Sequence, residues 1–259
     1  MEGLLFSQSI YFVPYSSTEL KSFNCDTSEI LIESSPCGIN LPYGPHLVPV
    51  SENKLFIQGG IFDLEVVANC FVYDAVSKTF ETKASGRSGV GGACVKYNMS
   101  VFIFGGAASD ELRPSELSQS FNLENENWEM VAPLPVASYN NNCVLMENQI
   151  LIVGLHLKNI LYYSPLDNSY RDGIEVEHKY KILLKHESDL FMVLGNTTRA
   201  LENGEWKDYT NKCTQVFSTI YSYSVYKNGY IYFVAPALDL ARLNTETKVV
   251  EIIGNFSPQ

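Results

Sequence analysis

Val101-Phe102-Ile103-Phe104-Gly105-Gly106, then Phe121-Asn122, then Trp128 seven positions after that Phe, is the stretch on which the fold turns. Four apolar residues stopped by two glycines are too few for a helix and suit a strand buried on both faces. The aromatic pair brackets a short polar turn. The same unit recurs as Phe23-Asn24 to Ile30, Tyr73-Asp74 to Phe80, Tyr163-Ser164 to Tyr170, Leu201-Glu202 to Trp206 and Leu243-Asn244 to Val250. Its first members stand at 23, 73, 121, 163, 201 and 243, and only the fifth pair is closer, at five positions. A period of this length means stacked supersecondary units.

Working outward, each pair is preceded by a short apolar run: Ile10-Val13, Leu55-Gln58, Val101-Phe104, Ile150-Val153, Leu190-Val193 and Ile231-Val234. Before each run lies another short strand, namely Leu4-Phe6, Leu47-Val50, Ala93-Tyr97, Cys143-Met146, Ile182-Leu184 and Tyr223-Tyr226. Each unit is therefore a four-stranded meander that cannot bury both faces alone, and radial packing of such units solves that problem. The expected fold is all-β, a six-bladed β-propeller in one domain over 1–259, with blades at about 3–36, 44–84, 90–132, 140–176, 179–210 and 220–255. Trp128 and Trp206 should lie mostly buried on outer strands. First and last repeats each hold four strands, so the ring should close by side-chain packing alone. The nearness of Met1 to the first strand suits a domain cut from a parent with modules upstream.

The glycine pairs Gly59-Gly60 and Gly105-Gly106, with Tyr73, Trp128 and the opening Gly86-Arg87-Ser88-Gly89, resemble the kelch repeat. Blades two and three carry the match. Elsewhere Pro14-Tyr15, Gly154-Leu155, Leu194-Gly195 and Ala235-Pro236 stand in for the glycine pair. The resemblance implies a propeller like the substrate-recognition domains of BTB-kelch and F-box-kelch ubiquitin-ligase adaptors. Neither a BTB nor an F-box segment is present in these residues, so the ligase connection is analogy.

Composition narrows the function. A net charge of −11 and the lack of any Lys/Arg cluster argue against a nucleic-acid surface. No run is apolar for long enough to span a bilayer as a helix, and Met1-Glu2-Gly3-Leu4-Leu5-Phe6 lacks the features of a secretory signal, so a cytoplasmic location is expected. The six cysteines, Cys25, Cys37, Cys70, Cys94, Cys143 and Cys213, form no C-x-x-C pair and read as buried reduced thiols. His46, His156, His178 and His186 show no ligand spacing. Ser85 to Ala93 is glycine-rich but lacks the Gly-Lys-Ser/Thr ending of a phosphate loop and leads into a strand. No catalytic residue, metal site or cofactor is assigned. The alternative class is a carbohydrate-acting propeller enzyme, resembling galactose oxidase or the sialic acid mutarotases.

Connections after the second and fourth strand of each meander share one face of the disc, and these are the long ones. Long loops on a rigid scaffold are where binding residues concentrate. The expected function is protein–protein interaction, a partner protein or peptide held on that face by a domain expected to be monomeric. Tyr15, Tyr43, Phe62, Arg87, Arg113, Tyr139, His156 and Arg199 are the candidate contacts, since Tyr and Arg supply rigid area and multiple donors. Arg87, Arg113 and Arg199 on loops of this face are expected to form one local basic pocket for a carboxylate-rich peptide.

Overall fold

The computed structural model describes residues 8–14, 19–33, 39–108, 111–176, 178, 181–211, 223–234 and 239–255. Six antiparallel sheets follow one another along the chain as propeller blades. The first holds β1 (Ser9–Phe12), β2 (Leu20–Asn24) and β3 (Ile30–Glu33). The strand expected at Leu4-Phe6 lies outside the described residues. The second holds β4 (His46–Pro49), β5 (Lys54–Gln58), β8 (Cys70–Asp74) and β9 (Thr79–Lys83), with a hairpin of β6 (Ile61–Phe62) and β7 (Glu65–Val66) between its middle strands. The third is β10 (Ala93–Tyr97), β11 (Ser100–Phe104), β12 (Ser118–Asn122) and β13 (Trp128–Val131). The fourth is β14 (Asn142–Met146), β15 (Gln149–Val153), β16 (Asn159–Ser164) and β17 (Ser169–Glu175). The fifth is β18 (Ile182–His186), β19 (Asp189–Leu194), β20 (Thr197–Glu202) and β21 (Glu205–Thr210), and the sixth β22 (Val225–Lys227), β23 (Tyr230–Val234), β24 (Asp239–Asn244) and β25 (Val250–Asn255). No helix among the described residues is long and apolar enough to cross a membrane.

The repeating pairs are register partners of the last two strands of each sheet: Phe23 faces Ile30, Tyr73 faces Phe80, Phe121 faces Trp128, Tyr163 faces Tyr170, Leu201 faces Trp206 and Leu243 faces Val250. The short polar residue after the first member makes the turn. Asn24, Asp74, Asn122 and Asn244 each accept two backbone N–H bonds through Oδ1, at 2.8 to 3.1 Å, from the residues two and three ahead. That is the Asx-turn chemistry expected of these side chains. In the fifth blade Asn203 and Gly204, at φ 53 and 83, close a two-residue hairpin instead, which is why its pair is closer.

Among the described residues the core is six separate clusters, one at each blade boundary. Phe56, Val72, Ile103 and Phe121 join blades two and three, for example, and Phe104, Ile150, Ile152 and Tyr163 join three and four. Trp128 and Trp206 lie on outer strands, each partly buried against such a cluster. Ile10, Phe12, Phe23 and Cys25 meet Val225, Tyr232, Val234 and Leu240 to close the ring. Two polar side-chain contacts add to this packing: Tyr223 donates to the Ser9 carbonyl at 2.8 Å, and Lys227 pairs with Asp26 at 2.9 Å.

Candidate functional site

The long-loop face of blades two to four is knitted by backbone hydrogen bonds. Gly59 and Gly60, at φ 69 and 106, turn the chain so that the Gly60 amide donates to the Gly89 carbonyl of the next blade at 2.8 Å. One blade on, Gly105 and Gly106 repeat the turn at φ 63 and 96, and the Gly106 amide reaches the Ser138 carbonyl at 2.8 Å. A side chain at Gly59 or Gly105 would meet both left-handed strain and neighbouring atoms closer than 3 Å. Ser115 then bridges Gly106 and Ser138, donating to the Gly106 carbonyl at 2.8 Å and accepting from the Ser138 amide at 3.0 Å.

Beneath these loops runs a buried polar chain. His46 on β4 accepts the Gly92 amide at Nε2, while its Nδ1 lies 2.9 Å from Gln58 Oε1 and 3.1 Å from the Gln58 carbonyl. With both contacts of Nδ1 to oxygens, that nitrogen carries the proton and the ring is neutral. Burial holds this imidazole below its ordinary pKa, and the bonds to Gln58, which favour the charged form, do not offset it. Gln58 in turn donates to the Arg87 carbonyl at 2.8 Å, and the Arg87 amide donates to Gln119 Oε1 at 2.9 Å. Each donor in the chain finds an acceptor, as buried polar groups require.

The Arg87 backbone is thus clamped from both neighbouring blades while its guanidinium is exposed, with Nε 3.2 Å from the Met130 sulfur and no carboxylate partner among the described residues. Arg113 is exposed on the blade-three loop and paired with Glu111. Arg199 corrects the expected pocket. It lies within strand β20, because Gly195 and Asn196 make a two-residue turn, and its register partner Asp208 neutralises it at 2.8 Å. The three arginines therefore do not combine as a single basic pocket.

Tyr139, on the loop leading into the fourth blade, and His156, on that blade's β15–β16 connection, are brought together with ring centroids 5.4 Å apart. Tyr43 is half-buried and bridges Ile61, and Phe62 is half-buried on β6. Tyr15 lies outside the described residues. The sequence reading missed the apolar projections of this face: Leu64, 83% exposed at the tip of the β6–β7 hairpin where Asp63 and Leu64 take φ 50 and 68, and the exposed Leu112, Leu117 and Val136. The one signal was a lone Leu between two acids, Asp63 and Glu65.

The axial channel, a cavity of about 360 Å³, is lined by innermost strands and includes His46, Cys94, Lys96, Asn142, Cys143 and Leu183. Cys25, Cys70, Cys94 and Cys143 are free thiols, the first two buried and the other two partly exposed; Cys37 and Cys213 lie outside the described residues. Burial pushes the Cys25 and Cys70 thiols up to about 12, so they stay protonated. Among the described residues no three His, Cys, Asp or Glu side chains converge to hold a metal ion.

No family model matches the chain. Human Kelch-like protein 15 is 24% identical over 185 residues, covering 61% of this chain and 30% of that protein. The mouse and rat Kelch-like protein 15 are each 23% identical with the same coverage. The chain thus spans under a third of the length of the curated relatives it matches.

Proposed function

We propose that this kelch-type propeller is a protein-interaction module that holds a partner protein or peptide on its long-loop face, in its finer form as a substrate-recognition domain. The observation that carries the reading is Leu64. A large aliphatic side chain 83% exposed at a hairpin tip has no fold to stabilise, and a left-handed two-residue turn holds it clear of the disc. On loops of the same face are the other exposed aliphatics Leu112, Leu117 and Val136, the Tyr139–His156 pair and the Arg87 guanidinium. A face that offers apolar anchors, an aromatic pair and a cation has the composition of an interface hot spot. The likeness to kelch-like proteins supports the same class of function, and the clamped backbone beneath supplies a preorganised surface.

Photo-crosslinking tests the proposal. With a benzophenone side chain at position 64 of the full chain in cells, a small set of proteins should be captured that the same probe at Glu147, on a short turn of the opposite face, does not capture. Identical capture from both positions, or none from position 64, would defeat it.

A further inference from the structure

Lys181 stands at the entry to β18, only 2% exposed, and its side chain runs back from the fifth blade to the fourth. There Nζ donates to the Gly154 carbonyl at 3.3 Å and to the Leu157 carbonyl, both in the connection between β15 and β16. An ammonium carries three N–H donors. No carboxylate pairs with this one among the described residues, so two neutral carbonyls alone offset a buried positive charge. Burial accordingly brings the Lys181 pKa down to about 8. A buried cation with so little compensation is costly, and it favours an anion that can reach it.

A pocket of about 340 Å³ opens beside it on the long-loop face. Leu155, Leu157 and Val176 give the pocket apolar walls, and the Val176 amide, donating to the Lys158 carbonyl at 2.7 Å, ties its two sides together. Lys158 and Glu175 are its other charges, both exposed and neither ion-paired among the described residues. His156 and His178 complete the lining. Arg199 lies in the adjoining cavity and adds no net charge, since Asp208 neutralises it at 2.8 Å. Two ammonium groups against one carboxylate leave a single positive charge, in a chain whose net charge is −11. That balance suits a monoanion, whereas a phosphate dianion would keep a charge uncompensated beside Glu175.

The geometry points to this pocket, between blades four and five, as a binding site for one carboxylate on a short apolar stem. Lys181 and Lys158 take the carboxylate, and Leu155, Leu157 and Val176 the stem. Such a group stands at the carboxyl end of a peptide and on a free short-chain acid, and the pocket's chemistry is the same for both.

Butyrate is the probe, titrated into the nitrogen-15-labelled intact chain at constant ionic strength, with butyramide as its neutral analogue. A ligand this small binds at about millimolar concentration, and amide shifts should move at residues 155–158, 176 and 181. Butyramide should leave them in place. Affinity should fall about tenfold from pH 7 to pH 9, as Lys181 loses its proton. Lys158→Gln should weaken binding about threefold and Glu175→Gln strengthen it by about as much, with the melting temperature unchanged because both residues are exposed. Lys181→Met should abolish binding; if that variant fails to fold, the two surface variants still decide. Acetyl-Ala-Val-Leu with a free carboxyl terminus, set against its amide, tells the sources apart. Tighter binding than butyrate, lost in the amide, assigns the pocket to a chain end, and binding of butyrate alone assigns it to a free acid. Absent binding, equal binding of butyrate and butyramide, shifts confined to other residues, or indifference to both Lys158→Gln and Glu175→Gln overturns the proposal. Cross-linking from position 64 does not depend on this pocket, so its failure and that of partner capture are read separately.

Discussion

His46, on the innermost strand of the second blade, accepts a hydrogen bond at Nε2 from the Gly92 amide of the third blade, 3.1 Å away. The acceptor is available only while the ring is neutral, because a proton on Nε2 would face an N–H that has no other role. The two blades are therefore coupled through one protonation state.

That coupling sets an acid window. An unfolded imidazole takes up its proton near pH 6.5, whereas burial depresses the folded pKa of His46. As pH falls through 6.5 the unfolded state binds more protons, so stability falls until the folded pKa is reached. Urea melts should lose about 1 kcal/mol between pH 7 and 5.5. His46→Gln, whose amide can both donate to Gln58 and accept from Gly92, should flatten the slope; an unchanged slope would remove His46 from the account.

Glu33 opens a second, lower window. It is buried between blades one and two, where Tyr73 donates to Oε2 at 2.8 Å, Ser22 to Oε1 at 3.0 Å, and Lys78 pairs with it at 2.5 Å. Burial raises its pKa, but the bonds from Lys78, Tyr73 and Ser22 together outweigh that and hold it below the usual value. Stability from Glu33 is thus present above about pH 4.5 and is lost as pH falls through the folded pKa. Glu33→Ala strands two buried hydroxyls and should cost about 2 to 4 kcal/mol at pH 7, with Glu33→Gln costing less, both read from urea melts.

Two glycines separate backbone strain from collision. At Gly105, φ 63, an added Cβ would lie 2.5 Å from Asn141 Nδ2 and 2.7 Å from the Ser138 carbonyl oxygen; at Gly204, φ 83, nothing lies within 4 Å. Gly204→Ala should cost about 1 kcal/mol for the left-handed conformation alone. Gly105→Ala should cost more than about 3 kcal/mol, since blade three must also part from the loop ahead of blade four. Equal costs would show that the glycine pair is a turn requirement only.

Arg87 divides main chain from side chain. Gln58 and Gln119 grip its carbonyl and amide, so bracing survives replacement of the side chain. Arg87→Ala should weaken partner binding by about 1 to 3 kcal/mol and leave the melting temperature in place, with Glu147→Lys on the opposite face as control. Gln58→Leu, by contrast, should lower the melting temperature, because it removes the side-chain bonds to His46 Nδ1 and to the Arg87 carbonyl, leaving the first only the backbone carbonyl of residue 58 and the second only a 3.5 Å contact from Gln119. Loss of stability in Arg87→Ala would return that residue to scaffold.

What the sequence disclosed was local. Phe121 and Trp128 stand seven apart because an Asx turn at Asn122 sets them opposite one another, and such a turn repeats visibly down the chain. The buried chain from Gly92 through His46 and Gln58 to Arg87 was not legible, since its members are up to 46 positions apart and a glutamine ahead of a glycine pair carries no spacing signal. Arg199 was misplaced for a related reason: the loop expected around it shrinks to two residues, which no composition cue at Gly195-Asn196 distinguishes from a longer one. Leu64 was passed over for Phe62 because hairpin geometry, not residue type, decides which of them projects.

The ring has one boundary that no peptide bond crosses. Between the last blade and the first, the Ile10–Val234 cluster, the Tyr223–Ser9 bond and the Lys227–Asp26 pair act across a cut in the covalent circle. In mechanical terms the disc is a split washer. A pull that parts the first blade from the last strains that seam directly, and there, among the described residues, only side chains resist it.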